Sequence, residues 1–216
     1  MTRAPASSSS VRSIVTPLGE ARVDIRRGTS TRMTLVLGHS AGGGIGARDL
    51  EALAGALPAR GVTVMRVEQP WHVAGRKVAT PPATLDVGWS AVLAELDVTG
   101  PLVVGGRSAG ARVACRTALA VGAVGVLALA FPLHPPGRPE KSRLAELTGA
   151  GVPTLVVQGD RDAFGGPAAF PADGPFVLRP IPFADHSFRV PAAAPLTQRE
   201  ALERLVDLTE RWLRDL

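Results

Sequence analysis

The amino-acid sequence predicts an α/β protein with one mostly parallel central sheet flanked by helices. Short apolar runs alternate along the chain with segments of helical periodicity, a pattern typical of repeated βαβ units. The 216 residues are 45 % hydrophobic and 20 % charged, which is typical of a globular chain that buries one sizeable core. The sequence has no internal repeat and no second-domain boundary. We therefore expect a single domain over residues 16–216, preceded by a flexible tail over residues 1–15.

The strands are predicted from apolar runs. Residues 21–27 alternate charged and apolar side chains, as an edge strand does. Continuous apolar runs are typical of strands that are buried on both faces of a parallel sheet. Such runs predict buried strands over residues 33–37, 62–67 and 102–105, and further strands are predicted over residues 124–131, 154–158 and 176–181.

Helices are predicted between these strands. Leu50, Leu53, Ala54 and Leu57 recur at the i, i+3, i+4, i+7 spacing, and Gly61 ends that helix. Further helices are predicted over residues 85–96, directly after the strand 102–105, and from a capping box at residues 197–200 to the end of the chain. The apolar stripe predicted on the last helix contains Leu202, Leu205, Val206, Thr209, Trp212, Leu213 and Leu216. The proline-containing segments 68–82 and 131–141 are predicted loops, and the sequence offers no long helical insertion for a cap domain.

Composition limits the partners that we expect. The net charge is +5, but the arginines are scattered without a basic run or interleaved aromatic residues, so we expect no nucleic-acid partner. The N-terminal segment lacks the apolar core of a secretory signal, and no apolar stretch is long enough to span a membrane. The one cysteine, Cys115, is expected to be a small buried apolar residue, and its lack of a disulfide partner fits a reducing cytoplasm. The sequence leaves the oligomeric state open.

The strongest chemical signal is a G-x-S-x-G motif at residues 106–110. It follows the predicted strand 102–105 and precedes a predicted helix, which is the context of a nucleophile elbow. Such a turn is so tight that the neighbours of the serine must be small, as Gly106, Ala109 and Gly110 are. The motif therefore predicts Ser108 as a nucleophile and the α/β-hydrolase fold as the architecture.

A second G-x-S-x-G match, at residues 38–42, is a weaker candidate. The glycines that follow it disfavour a helix, since each costs about 1 kcal/mol relative to alanine in a helix interior. Ser40 also follows an early strand, whereas the nucleophile strand of this fold is central. We therefore assign this segment to an oxyanion loop. The backbone N–H groups of Ala41, or of a direct neighbour, and of Ala109 are the predicted oxyanion donors.

The nucleophile needs a base and an acid, which this fold supplies later in the chain. His186 follows the last predicted strand and is the predicted base. Asp160 and Asp162 both lie after the strand 154–158, and we prefer Asp162 because it lies further into the loop. Asp185 is adjacent to His186 in sequence, which makes the required side-chain contact awkward. The four histidines are dispersed without metal-ligand spacing, so we expect neither a metal nor another cofactor.

Several of these segments together resemble a known family. The resembling stretches are residues 37–43, 68–71, 105–110, 131–137, 158–162 and 184–188. They are similar to the testis-expressed and NSL-complex-subunit type of α/β-hydrolase-like proteins, in the wider dienelactone-hydrolase-like group. The resemblance implies an α/β-hydrolase fold with Ser108, Asp162 and His186 at the triad positions. Ser40 stands where the family usually has glycine, and some relatives are thought of as scaffold subunits.

The predicted pocket and function follow from these assignments. His39, Ser40, Trp71, Arg107 and His134 lie in or beside the predicted site loops and are candidates for the substrate pocket. A structural hydrogen-bonding role for His134 is an equal alternative. We expect a serine hydrolase of the carboxylesterase, thioesterase or dienelactone-hydrolase-like kind, which acts on a small ester, thioester or related acyl substrate through an acyl-enzyme. The alternative is a catalytically silent interaction protein that has kept the fold.

Overall fold

The structure, a computed structural model, describes residues 9–216. Within this range the strands are β1 (Ser9–Thr16), β2 (Gly19–Arg26), β3 (Met33–Gly38), β4 (Val62–Glu68), β5 (Leu102–Arg107), β6 (Gly125–Leu129), β7 (Thr154–Gly159) and β8 (Val177–Ile181). The α-helices are α1 (Arg48–Ala56), α2 (Pro70–Val73), α3 (Pro82–Ala94), α4 (Ala109–Thr117), α5 (Leu144–Thr148) and α6 (Gln198–Arg214). Short 3₁₀ turns lie at Pro58–Arg60 and Pro167–Ala169.

The eight described strands form one sheet in the order β1-β2-β4-β3-β5-β6-β7-β8. The pairs β1/β2 and β2/β4 are antiparallel, and every other neighbouring pair is parallel. The strand that precedes Ser108, β5, is therefore flanked by strands on both sides. This arrangement confirms the predicted α/β class with a mostly parallel central sheet flanked by helices.

Each face of the sheet supports its own core. Side chains alternate between the faces along every strand, so Val36 of β3 joins one core while its neighbours Leu35 and Leu37 join the other. Helices α3 and α4 cover the first face, where Trp89 is fully buried. Helices α1 and α6 cover the second face. Because both faces are covered, the central strands are mostly apolar, which is why their sequences predict them so directly.

Two predictions at the N-terminal side of the sheet need correction. Residues 9–15 are not a flexible tail, since they belong to β1, which pairs along its whole length with β2. Residues 1–8 of the predicted tail lie outside the described residues. The segment predicted as an edge strand, now β2, lies between β1 and β4. The side chains of Glu20 and Arg22 are exposed, which gives β2 the partly charged pattern of an edge strand. The strand is nevertheless paired with an antiparallel neighbour on each side.

The last helix begins as predicted. Thr197 accepts the N–H of Glu200 through its hydroxyl, and the Glu200 carboxylate accepts the N–H of Thr197, which completes the capping box. Of the predicted stripe, Leu205, Val206 and Leu213 are buried, while Leu216 beyond the helix is exposed.

Cys115 of α4 is buried in the first core, as predicted. Burial raises the pKa of its thiol to about 12, so the residue is an inert thiol rather than a reactive thiolate. Over the described range, no helix combines the length and the apolar character needed to cross a membrane.

Candidate active site

Ser108 lies at the tight turn between β5 and α4. Its backbone has φ 55° and ψ −111°, a conformation that a residue with a side chain rarely adopts. A Cβ atom on Gly106 or on Gly110 would collide with the carbonyl oxygen of Gly38 at the end of β3. The turn is therefore possible only with glycine on both sides of the Ser108 segment. Ser108 lines a surface pocket from this turn, in the strand-turn-helix context that the G-x-S-x-G motif predicts.

Ser108 and His186 are in hydrogen-bond contact. The Ser108 Oγ atom lies 2.9 Å from Nε2 of His186, and the His186 Nδ1 atom lies 2.7 Å from Oδ2 of Asp162. Because a carboxylate only accepts, Nδ1–H of His186 donates to Asp162, and Nε2 is left to accept the hydroxyl proton of Ser108. The structure thus brings together the three residues that the sequence predicts as nucleophile, base and acid.

Asp162 is held beside His186 by hydrogen bonds to both of its carboxylate oxygens. Its side chain is fully buried, and its Oδ2 also accepts Nε2–H of Gln158 at 2.9 Å, while Oδ1 accepts the N–H of Phe164 at 2.8 Å. Gln158, buried at the end of β7, was not predicted as a site residue. A polar residue that ends an otherwise apolar strand run was the available signal.

The other two carboxylates near these residues point elsewhere. Asp160 is exposed, and over residues 9–216 its side chain makes no hydrogen bond or ion pair. Asp185 Oδ1 accepts the N–H groups of Ser187 and Arg189, so that carboxylate organises its own loop. The preference for Asp162 over its neighbours therefore agrees with the contacts of all three side chains.

Two side chains steady the His186 loop. The Phe164 ring stacks on the imidazole at a centroid distance of 4.1 Å. Arg107 donates to the carbonyl oxygen of His186 at 3.4 Å and to Oγ of Ser187 at 2.7 Å. Behind Arg107, the Asp49 carboxylate is fully buried and 3.9 Å from the guanidinium. Burial raises the pKa of Asp49, and the Arg107 charge opposes that rise.

These residues open onto a pocket of about 400 Å³. Its walls are the loops that follow β3, β5, β6, β7 and β8, which all emerge at the carboxyl edge of the parallel strands. Ala41 and Ala109 both line it beside Ser108. Over the described residues no protein acceptor takes the backbone N–H of either alanine. The pocket is therefore lined by a serine hydroxyl, an imidazole and two residues whose backbone N–H groups have no protein acceptor among the described residues.

The structure divides the predicted pocket residues into two groups. Ser40 and Arg107 line the pocket with Ser108. His39 and Trp71 do not, since they border a separate cavity of about 10 Å³, which has space for about one water molecule. His134 is also outside the pocket wall, and its Nδ1 lies 2.9 Å from the carbonyl oxygen of Pro135, which agrees with the structural alternative.

His39 instead connects the predicted oxyanion loop to the residue that follows β4. Its Nδ1 lies 2.8 Å from the carbonyl oxygen of Ser40, and its Nε2 accepts the N–H of Gln69 at 3.1 Å. The imidazole is therefore neutral with the proton on Nδ1. Burial lowers the pKa of His39, which favours the neutral form that these two hydrogen bonds require.

Some pocket residues carry no sequence signal of their own. Arg112, Pro132, Arg143, Phe164 and Ser187 line the pocket but were not predicted. They lie on four different elements or loops, and only the fold brings them together.

Over the part of the chain that the structure describes, no three histidine, cysteine or carboxylate side chains cluster as metal ligands would.

Comparisons with known proteins agree with this architecture. A family model described as an alpha/beta hydrolase domain matches residues 31–214. No curated protein is a significant sequence match. Among solved structures, an alpha-beta serine hydrolase homologue from Coxiella burnetii is 21 % identical, with 98 % of this chain and 100 % of that chain covered and a TM-score of 0.72.

Two further solved structures extend the likeness. XC6422 from Xanthomonas campestris, an α/β serine hydrolase without a lid, is 21 % identical with a TM-score of 0.66, and the match covers 98 % of each chain. A dienelactone hydrolase from Anabaena variabilis is 15 % identical with a TM-score of 0.74, and the match covers 98 % of this chain and 99 % of that chain. At these identities the shared property is the fold.

Proposed function

Because the chain belongs to the alpha/beta hydrolase domain family and has the fold that its sequence predicts, we propose that it is a serine hydrolase acting on a small ester, thioester or related acyl substrate. One observation carries this proposal. It is the continuous chain of hydrogen bonds from Asp162 Oδ2 through both nitrogens of His186 to Ser108 Oγ. The order of these partners and their hydrogen-bond distances are what a Ser-His-Asp mechanism requires.

The reaction would proceed through an acyl-enzyme. Ser108 Oγ attacks the acyl carbon while His186 Nε2 takes its proton, and the carbonyl oxygen becomes an oxyanion near the N–H groups of Ala41 and Ala109. Collapse of this intermediate breaks the bond to the leaving group, which receives the proton from His186. A water molecule, deprotonated by His186, then attacks the acyl carbon and releases the acid and free Ser108. Asp162 stabilises the imidazolium in both steps.

Narrower assignments remain part of the proposal. We place the chain in the testis-expressed and NSL-subunit type of the family, on the motifs that resemble it. A location in the cytoplasm is supported by the single buried cysteine and its lack of a disulfide partner. Chemically, the proposal covers carboxylesterase, thioesterase and dienelactone-hydrolase-like reactions, which share this mechanism.

The test is covalent labelling with a fluorophosphonate, followed by proteolysis and mass spectrometry to locate the adduct. We expect the adduct on Ser108 in the wild type and in Ser40→Ala, and none in Ser108→Ala. Ester turnover should fall on the order of 10⁶-fold in Ser108→Ala. Ser40→Ala removes only a side chain, whereas the proposed oxyanion donors of this loop are backbone N–H groups. Its loss of turnover should therefore be below the roughly 10²-fold to 10³-fold loss caused by removing a whole oxyanion donor.

Two outcomes would redirect this assignment. An adduct on Ser40 would overturn the triad, because His186 contacts Ser108 and Asp162 contacts His186. No adduct on either serine, in protein whose circular dichroism and thermal unfolding match a folded domain, would favour the interaction-protein alternative.

A further inference from the structure

The pocket around Ser108 has an uneven charge. Three arginines, Arg107, Arg112 and Arg143, line it, while none of its lining residues is an aspartate or glutamate. Cations on the wall of a partly enclosed, low-dielectric pocket attract anions and raise their local concentration. The three arginines differ, however, in how far their charges are already used by the protein.

Two of them are committed to protein partners. Arg112 makes a two-pronged ion pair with the Glu146 carboxylate, at 2.8 and 2.5 Å. Arg107 is bonded to the His186 loop and faces the buried carboxylate of Asp49. Both guanidinium groups therefore have a structural role and a counter-charge.

Arg143 has neither. Over residues 9–216 its guanidinium makes one hydrogen bond, a donation to the carbonyl oxygen of Pro132 at 3.0 Å, and no carboxylate lies within ion-pair distance. A guanidinium has five N–H donors in a rigid fork, so most of its hydrogen-bonding capacity is unused. Its nearest acidic neighbour, Glu146, is already bonded to Arg112 and Arg116.

The surroundings of Arg143 penalise a cation without a partner. Burial lowers the pKa of Arg143, the charge of Arg112 acts in the same direction, and Glu146 opposes them. An arginine nonetheless stays protonated in proteins. The attraction of a bound anion would therefore offset both the free-energy cost of desolvating this cation and its repulsion from Arg112.

We propose that the preferred substrate, if the chain is the serine hydrolase proposed above, carries a carboxylate that Arg143 binds while the scissile acyl group lies at Ser108. The planar fork of arginine matches the two oxygens of a carboxylate. A pocket of about 400 Å³ holds a small acyl compound of this kind with both ends in contact with the protein. The carboxylate belongs either to the acyl part or to the leaving group.

The kinetic test uses two matched pairs of esters that differ only in charge. The acyl-side pair is the 4-methylumbelliferyl monoester of adipic acid and its terminal amide. The alcohol-side pair is 3-carboxyphenyl hexanoate and 3-carbamoylphenyl hexanoate. We expect the wild type to prefer the acid in one pair by about tenfold or more in kcat/KM, since hydrogen bonds to charged groups contribute that much. High salt should reduce the preference.

The variants assign that preference to one residue. Arg143→Gln should bring the acid-to-amide ratio of kcat/KM close to one, and this ratio, rather than the absolute rate on either ester, is the readout. Arg143→Lys keeps the charge and should retain part of the preference. The control is Arg138→Gln, which removes the same charge from an exposed side chain outside the pocket and should leave the ratio unchanged. Ratios near one in both wild-type pairs, or a preference that survives in Arg143→Gln, would overturn the proposal.

A binding measurement keeps the inference testable if Ser108 proves unreactive. Adipate and 3-hydroxybenzoate, with adipamide and 3-hydroxybenzamide as neutral controls, are titrated into the wild type by calorimetry or NMR. We expect one of the two acids to bind, with affinity about tenfold lower in Arg143→Gln and unchanged in Arg138→Gln. Binding without fluorophosphonate labelling would reject the hydrolase and keep the anion site. Labelling without acid binding or charge preference would keep the hydrolase and reject the anion site.

Discussion

At the scale of single residues, two aspartates of the same loop differ in burial. Asp162 is buried against His186 and Gln158, while Asp160, two positions earlier, is exposed. A buried acceptor fixes the histidine tautomer and stabilises the imidazolium, whereas an exposed carboxylate does neither.

We therefore predict opposite outcomes for the same chemical change at these positions. Asp162→Asn replaces the acceptor by a side chain that can present an amide N–H to Nδ1, which favours the wrong tautomer of His186. Turnover should fall by about 10⁴-fold with folding retained. Asp160→Asn should leave kcat within a few-fold of the wild type. Steady-state kinetics on one ester decides, and a larger loss for Asp160→Asn would reassign the acid.

His39 provides a second test at the scale of single residues, because its lowered pKa makes the stability of the folded protein depend on pH. Its ring faces His72, Glu68 and Trp71, and burial lowers its pKa from the ordinary value of 6.5. Below that value the unfolded chain takes up a proton at this position while the folded protein does not. The unfolded state then binds more protons, so the free energy of unfolding decreases as pH falls through about 6.5 towards the folded pKa.

The variant His39→Gln removes this titration. We expect the wild type to lose more free energy of unfolding than His39→Gln between pH 8 and pH 5, as measured by urea denaturation at both values. The difference between the two proteins cancels the contributions of other groups that titrate alike in both. Parallel losses in the two proteins would show that His39 is not the group responsible.

At the scale of elements, the crossing of α4 over the end of β3 decides how Ser108 is presented. Gly110 is in the first turn of α4, and a Cβ atom there would overlap the carbonyl group of Gly38. The helix and the strand approach this closely because neither has a side chain at the contact. The exposed glycine of α1, Gly55, has no atom within 4 Å of its added Cβ position.

These two helical glycines make a matched pair. Gly110→Ala forces α4 away from β3, so we expect a loss of about 1–3 kcal/mol in the free energy of unfolding and slower fluorophosphonate labelling of Ser108. Gly55→Ala meets no obstacle and should stabilise the protein by about 0.5–1 kcal/mol with labelling unchanged. Chemical denaturation and labelling rates measure both effects. If Gly110→Ala left both the free energy of unfolding and the labelling rate unchanged, the contact between α4 and β3 would have to accommodate a methyl group, contrary to what the distances indicate.

The elements also show where sequence patterns lose their information. The buried strands β3, β4, β5, β6 and β7 were all predicted, since a strand covered on both faces must be mostly apolar. In β1 only Ile14 and Thr16 are buried, and Val11 and Val15 are exposed. An outer strand has one neighbour and half of a core face, so its sequence differs little from that of a polar tail.

For the whole molecule, the sheet order explains why one pocket collects residues from distant parts of the chain. Ser108 follows β5, Asp162 follows β7 and His186 follows β8, while Ala41 and Arg143 come from the connections after β3 and β6. Parallel strands end at the same edge, so these connections meet there whatever their separation in sequence. Arg143 lines the pocket at that edge, and its charge is the basis of the proposed preference for acids.

The sequence by itself determined the α/β class, the central strands, the capping box of α6 and the positions of Ser108, Asp162 and His186 in loops after strands. These features are local, because apolar runs, small residues around a serine and chain order are visible without the fold. Only the tertiary structure decided that residues 9–15 form a strand, that His39 and Trp71 border a separate small cavity, and that Arg143 lines the Ser108 pocket with no counter-charge among residues 9–216. Those outcomes depend on which neighbours surround a side chain, and neighbours distant in sequence are chosen by the packing of the whole sheet.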